Sequence, residues 1–123
     1  MTVKNISGKL GEEAAARYLC EHGYEIVRRN YRTRVSETDI IAKDGDVLCF
    51  IEVKTRKNKS FGSGAEYVDY KKKEKMILAA RSFLAYDRSG CDIRFDVVEV
   101  YGSVIPSGFC VNEINVIKNA FDV

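Results

Sequence analysis

The sequence holds a single proline, a single histidine, no cysteine pair at a C-x-x-C spacing and no apolar run near the length of a membrane-spanning helix. The four cysteines, Cys20, Cys49, Cys91 and Cys110, lie far apart, so neither a zinc site nor a disulfide framework is indicated. No signal peptide precedes them, and reduced thiols in the cytoplasm are the expectation. A spanning helix needs ~20 apolar residues, whereas stretches such as Val47–Ile51 suit buried strands or helix faces, so no membrane partner is expected. Internal repeats, low-complexity tracts and long Gly/Ser linkers are missing too, which leaves one domain over residues 1–123. A chain of this length can bury roughly two-thirds of its unfolded surface without covalent staples.

What is present is charge, unevenly distributed. The formal net charge is only +2, yet Arg28–Arg34 holds four arginines and no acid, and Lys54–Lys75 holds eight basic and three acidic residues. The rest of the chain is therefore net negative. Such segregation fits a surface that faces a polyanion, although a charge run is also the ordinary make-up of a solvated face.

Periodicity divides the chain into seven elements. Leu10, Ala14, Ala15, Tyr18 and Leu19 give a helical apolar face over Lys9–His22, with Gly23 as a left-handed stop. Strands are expected over Tyr24–Tyr31, Glu37–Lys43 and Val47–Thr55, the last two joined by the turn signal Asp44-Gly45-Asp46. A Gly/Ser/Lys loop through Ser60–Gly64 leads to a second helix over Asp69–Tyr86, with Met76, Ile77, Ala80, Phe83 and Leu84 on its stripe. A strand over Asp92–Tyr101, a loop over Gly102–Gly108 around the proline and a weaker strand over Cys110–Val116 complete the series. Met1–Ser7 and the last few residues are expected to be loose. The order αβββαββ implies an α/β or α+β fold with helices covering a central mixed β-sheet.

The chemistry concentrates on the hairpin. With a two-residue turn, facing residues have numbers of odd sum, so odd positions before the turn share a face with even positions after it. Glu37, Asp39, Glu52 and Lys54 all fall on that face and near one end, with Asp39 opposite Phe50 or Glu52. Carboxylates so clustered in an apolar sheet require a compensating partner, which a divalent cation supplies. Asp39, Glu52 and the Val53 carbonyl are hard oxygen ligands suited to Mg²⁺ or Mn²⁺. A bound metal lowers the pKa of a water and shields phosphate charge, while Lys54 can orient that water or stabilise charge developing at phosphorus. The bare D-x12-E-x-K pattern arises easily by chance, and taken alone it is more simply a cross-strand ion-pair ladder. Ile40, Ile41 and Phe50–Val53, apolar on both faces, argue for interior strands instead.

An ordered series of motifs adds a resemblance. Gly11-Glu12 with Ala15 and Tyr18-Leu19, Gly23-Tyr24, Asn30-Tyr31-Arg32, Glu37-x-Asp39-Ile40-Ile41, Phe50-Ile51-Glu52-Val53-Lys54-x-Arg56, Phe61-Gly62 and Arg94-Phe95-Asp96-Val97-Val98 resemble the YraN-like family of small bacterial proteins. That family is similar to archaeal Holliday-junction resolvases of the PD-(D/E)xK superfamily, and the match runs over about Gly8–Tyr101. The resemblance implies a restriction-endonuclease-like fold, with Asp39 and Glu52 as metal ligands and Lys54 as the catalytic lysine. It also implies site roles for Glu12 on the first helix and for Lys72 on the second. Ser36 and Thr38 stand where the family commonly has Gly and Ile or Leu. Thr38 is expected to point away from the site and Ser36 to alter the turn that leads into the strand. Residues 102–123 carry no recognisable motif.

Other residues have plainer readings. Glu12 leans inward, where it can serve the site or simply favour the helix N-terminus, and Glu13 is spaced for an exposed pair with Arg17. His22 follows the last helical turn, where it serves the C-terminal dipole, and it is not assigned as a base. Arg94 and Asp96 read as a structural pair. The residues expected to contact nucleic acid are Arg28, Arg29, Arg32, Arg34, Arg56, Lys71, Lys72, Lys73 and Lys75. Cations open the second helix against its dipole, and phosphates would compensate them, with Tyr67 and Tyr70 available to pack on sugars or bases. The leading function is a Mg²⁺- or Mn²⁺-dependent endonuclease acting on DNA, with branched or damaged DNA as the candidate substrates. The alternative is a nucleic-acid-binding module that keeps the fold without cutting, and a protein scaffold with an inert charge cluster ranks third. A junction resolvase makes two symmetric cuts, so a homodimer is expected for that role.

Overall fold

A computed structural model describes residues 3–58, 69–87 and 90–122, with side chains from Ile6 onward. The first helix, α1 (Val3–Glu21), starts earlier than its apolar face suggests, so Val3–Ser7 is helical rather than loose. It stops where the sequence places a glycine. Gly23 adopts φ +87°, the Tyr24 amide donates to the Leu19 carbonyl at 2.9 Å and the Gly23 amide to that of Cys20 at 3.3 Å. This paired closure satisfies carbonyls the helix leaves open. His22 stacks on Tyr18, with Nδ1 2.8 Å from the Tyr18 carbonyl oxygen.

Strands β1 (Glu25–Arg32), β2 (Glu37–Asp44) and β3 (Val47–Arg56) form an antiparallel meander. Asp44 pairs with Val47 across a two-residue turn in which Gly45 takes φ +62°, so the odd-sum register expected for the hairpin holds through Ile40 and Ile51. Helix α2 (Tyr70–Tyr86) then carries the chain over the sheet, and β4 (Asp92–Ile105) pairs parallel to β3. Asp69 caps α2, its carboxylate accepting the Lys72 amide at 2.8 Å. The cap offsets part of the unfavourable meeting of lysines with the positive end of the helix dipole.

Strand β5 (Gly108–Phe121) closes the order β1-β2-β3-β4-β5 by antiparallel pairing with β4. The expected loop over Gly102–Gly108 is thus mostly strand, and the last strand reaches past Val116 to Phe121. Only Pro106 and Ser107 are needed for the turn, because Ile105 pairs with Gly108. Glycine at both ends of the segment gave a loop signal, but cross-strand pairing of Val104 with Phe109 and Ser103 with Cys110 continues the ladder. The expected loop through Ser60–Gly64, the Phe61-Gly62 motif and Tyr67 lie outside the described residues. Among the described residues the fold is α+β, with a five-stranded mixed sheet and two helices.

The sheet has an apolar layer on each face. Phe50, Met76, Ala79, Phe83, Phe95 and Val97 pack under α2, while Ala15, Leu19, Ile40, Ile51, Val98 and Val100 pack under α1. Ile40 and Ile41 are both fully buried, one on each side, as interior strands require. At the end of the sheet nearest the hairpin turn, Arg94 forms a two-pronged pair with Asp96 at 2.8 Å for each bond and reaches Asp44 at 2.9 Å. Asp96 is 0% exposed and also accepts the Asn119 amide at 2.9 Å. Among the described residues no helix is long and apolar enough to cross a membrane.

The approach of α1 to the sheet depends on one missing side chain. A Cβ on Gly11 would run into the Thr55 hydroxyl and lie within 3 Å of its methyl and Cβ. Replacing a helical glycine by alanine ordinarily gains ~1 kcal/mol of helix propensity. Overpacking costs ~1–3 kcal/mol and should win here. Gly11→Ala is therefore expected to lower stability to urea, and adding Thr55→Ala should restore part of it. A Gly11→Ala protein at least as stable as the parent would show that α1 does not need this close approach.

Candidate functional site

Beyond Ile40 and Ile51 the β2–β3 ladder ends. The Val53 amide donates instead to the Asp39 carboxylate at 2.8 Å, so a side chain takes over from the backbone where the strands part. Thr38 turns the other way, 1% exposed, and donates its hydroxyl to the Ile51 carbonyl at 3.1 Å. The buried hydroxyl is satisfied, so burying it carries little penalty. Ser36 is buried, with its hydroxyl against that of Thr33 and its carbonyl accepting the Thr33 amide at 3.0 Å, which closes the turn into β2.

Asp39 and Glu52 line one cleft of about 520 Å³ together with Gly8 and Glu12 of α1 and with Val53 and Arg56 of β3. Glu52 is 4% exposed. Its Oε1 faces two ammonium groups, Lys54 Nζ at 3.8 Å and Lys72 Nζ at 3.6 Å, whereas its Oε2 is buried and accepts no hydrogen bond. Glu12 Oε1 is likewise buried without a partner, and so is the Nε of Arg56. Two acceptors and one donor in a single cleft thus lack the partners that buried polar groups normally have.

The electrostatics follow the geometry. Burial raises the pKa of Glu52, and the charge of Asp39 raises it further against the pull of Lys72 and Lys54. Burial and then Asp39 raise that of Glu12. Glu37 behaves oppositely, its carboxyl held below the usual range by the hydrogen bond from Lys72 at 2.7 Å. Burial works against the Lys72 ammonium, but the hydrogen bond to Glu37 and the charges of Glu52, Glu37 and Asp39 outweigh it, so its pKa is raised.

The expected residues are not all gathered alike. Glu37 pairs with Lys72 and, at 3.7 Å, with Arg32. Helix α2 therefore supplies a charge to the hairpin that strand alternation alone does not reveal, and only the resemblance had given Lys72 a place beside the carboxylates. Glu13 pairs with Arg29 of β1 at 3.0 Å, not with Arg17, because α1 packs across that strand. The basic residues divide as well. Arg29 and Lys72 are engaged within the chain, Lys73 lies 5.5 Å from the Phe121 ring centroid, and Arg56 lines the cleft. Arg28, Arg32, Arg34, Lys71 and Lys75 remain exposed. Among the described residues no three His, Cys, Asp or Glu side chains make a preassembled metal set, so a cation would rest on two carboxylates and a carbonyl.

Comparison with known sequences places the chain in a family. The profile of the family described as Uncharacterised protein family UPF0102 matches residues 11–100. A UPF0102 protein of Caldicellulosiruptor bescii is 44% identical over 123 residues, covering 98% of this chain and 100% of the relative. One from Clostridium kluyveri is 41% identical over 117 residues, covering 94% and 93%, and one from Desulfosudis oleivorans is 45% identical over 116 residues, covering 94% and 89%. The matched span holds Glu12, Glu37, Asp39, Glu52, Lys54 and Lys72, and the chain belongs to the UPF0102 family.

Proposed function

We propose that the protein is a metal-dependent endonuclease acting on DNA phosphodiesters. The observation that carries this reading is the mixture of unpartnered groups in the cleft: Glu52 Oε2 and Glu12 Oε1 call for a cation, while Arg56 Nε calls for an anion. A divalent metal with a phosphate would satisfy both at once. Asp39 and Glu52, with the Val53 carbonyl, would hold Mg²⁺ or Mn²⁺, whose hard character matches oxygen ligands. When bound, the metal supplies a water of lowered pKa and neutralises phosphate charge. Arg56 donates to a phosphate oxygen, Lys54 orients the attacking water or stabilises charge developing at phosphorus, and Lys72 holds Glu37 ionised while opposing the raised pKa of Glu52. Branched or damaged DNA, and a homodimer making paired cuts, belong to this proposal.

A non-cutting nucleic-acid-binding module has one observation in its favour. Lys72 reaches both Glu37 and Glu52, so the chain partly neutralises its own cluster. Incubating the protein with linear, flapped and four-way DNA in Mg²⁺ and in Mn²⁺ separates the two. Cleavage abolished by chelator supports the nuclease, and binding without cleavage of any of these substrates supports the module.

Three outcomes are expected. Asp39→Asn combined with Glu52→Gln should abolish Mn²⁺ binding in a calorimetric titration, and unchanged binding would remove both residues from the site. Lys54→Ala should lower the cleavage rate roughly 100-fold or more while leaving metal and DNA affinity nearly intact, the order typical of one well-placed electrostatic group. Lys54→Arg keeps the charge but cannot place it at the same point. A folded, metal-binding Lys54→Ala protein that cuts at the parental rate would falsify the role given to Lys54.

The third outcome concerns pH. Glu52 and Glu12 have folded pKa values above their unfolded ones. The folded state therefore binds more protons than the unfolded state above the ordinary carboxylate range. Their contribution is present at low pH and is lost as pH rises through the raised values. Melting temperature in chelator should fall across that window, and Glu52→Gln should flatten the fall. An equal slope in both proteins would mean that Glu52 is ionised in the folded state at ordinary carboxylate pH.

A further inference from the structure

The edge strand β1 and the C-terminal half of α2 enclose a second pocket, of about 330 Å³, distinct in its lining from the carboxylate cleft. Arg28, Tyr31, Arg32, Phe83 and Tyr86 line it, and its described lining includes no carboxylate. Tyr31 is its fixed element. The Tyr31 hydroxyl lies 2.7 Å from the Ser82 hydroxyl, and its ring stands edge-on to Phe83 with centroids 5.6 Å apart. Arg28 holds its guanidinium carbon 5.4 Å from the Tyr31 centroid. Strict alternation would put Arg28 and Tyr31 on opposite faces, but Asn30 between them takes φ +50° and interrupts the pleat. Two arginines and a tyrosine thereby come to the α2 side of one strand.

Tyr86, in the last turn of α2, is 85% exposed. Its ring contributes little to the core, yet it stands beside two arginines. An open aromatic face flanked by guanidinium groups suits stacking of a base with its backbone held by cations. A series of contacts leads from the pocket toward the carboxylate cluster. Arg32 and Thr33 line a smaller pocket of about 140 Å³ with Arg34, Lys75 and Glu37, and Glu37 is bonded to Lys72, which faces Glu52. Along the helix, Lys72 and Tyr86 are separated by ~21 Å at ~1.5 Å per residue. That length spans about six nucleotides at the ~3.4 Å per-strand spacing of a stacked helix, and fewer if the strand is extended.

We propose that the β1–α2 pocket receives an unpaired base of a single strand whose phosphates follow Arg28, Arg32, Arg34 and Lys75 toward the carboxylate cleft. The inference rests on the nucleic-acid reading above and narrows the substrate to DNA bearing a single-stranded tail, flap or gap. Bases inside a continuous duplex are stacked on one another and cannot offer Tyr86 a face.

The test measures fluorescence anisotropy of a labelled short oligothymidylate and of a labelled closed-hairpin duplex in chelator, so that no cleavage intervenes. The parent protein should bind the single strand, and Tyr86→Ala should weaken that binding roughly 10-fold or more. Tyr86→Phe should retain it, because stacking needs the ring and not the hydroxyl. Duplex affinity should be unchanged in both variants, and the exposed position should leave the melting temperature unchanged. If Tyr86→Ala keeps parental single-strand affinity, as a protein-binding pocket would require, or if it weakens duplex equally, the inference is overturned while a duplex-binding or duplex-cutting parent leaves the nuclease reading standing. A parent that neither binds nor cuts any DNA overturns both.

Discussion

The parting of β2 from β3 beyond Ile40 and Ile51 is the constraint on which the candidate site depends. In a continuing ladder the backbone groups would satisfy one another and leave the carboxylates as surface decoration. Here the Val53 amide turns to Asp39, so one carboxylate is fixed by main chain while its neighbour Glu52 stays buried against it. Burial and the charge of Asp39 raise the pKa of Glu52 unless something positive intervenes. The two lysines supply part of that charge on one side of Glu52, and the other oxygen is buried without a partner.

Both helices are needed to complete the environment, and each arrives by a different physical route. Helix α1 approaches through a missing side chain, Gly11 against Thr55, which brings Glu12 alongside Asp39. Helix α2 approaches through its apolar stripe, with Met76, Ala79 and Phe83 seated on Phe50 and Phe95, and this packing carries Lys72 to Glu37 and Glu52. The charge cluster is therefore a consequence of core packing on two faces of one sheet. At the other end of β3 and β4, the Arg94–Asp96–Asp44 network pairs both oxygens of the buried Asp96. Its completeness marks it as structural, in contrast to the open cluster at Glu52.

The basic residues illustrate why composition alone misleads about binding surfaces. Segregated positive charge in the sequence looks like one nucleic-acid face, but Arg29, Lys72 and Lys73 are drawn into contacts with Glu13, Glu37 and Phe121. What remains exposed is a narrower set, arranged along the β1–α2 side and leading from an open tyrosine toward the cleft. The electrostatic attraction of a polyanion depends on the charges left unpaired, not on those counted.

Much of the local order was legible in the amino-acid sequence. Period-two and period-3.6 patterns marked β1, β2, β3 and α2 to within one residue at each end, Gly23 marked the end of α1, and Asp44-Gly45-Asp46 set a register that put Asp39 and Glu52 near one another. These features are local, because alternation and turn chemistry act over a few residues. The Gly102–Gly108 segment failed for the same reason: glycine and proline signal a turn, while the pairing that extends β4 and β5 is set by the partner strand. Only the tertiary structure decided that α2 brings Lys72 to the hairpin, that Glu13 meets Arg29, and that Arg56 Nε and Glu52 Oε2 share a cleft without partners. Those contacts join positions far apart in the chain, and their geometry follows from how two helices pack on opposite faces of one sheet, which no single window of sequence contains.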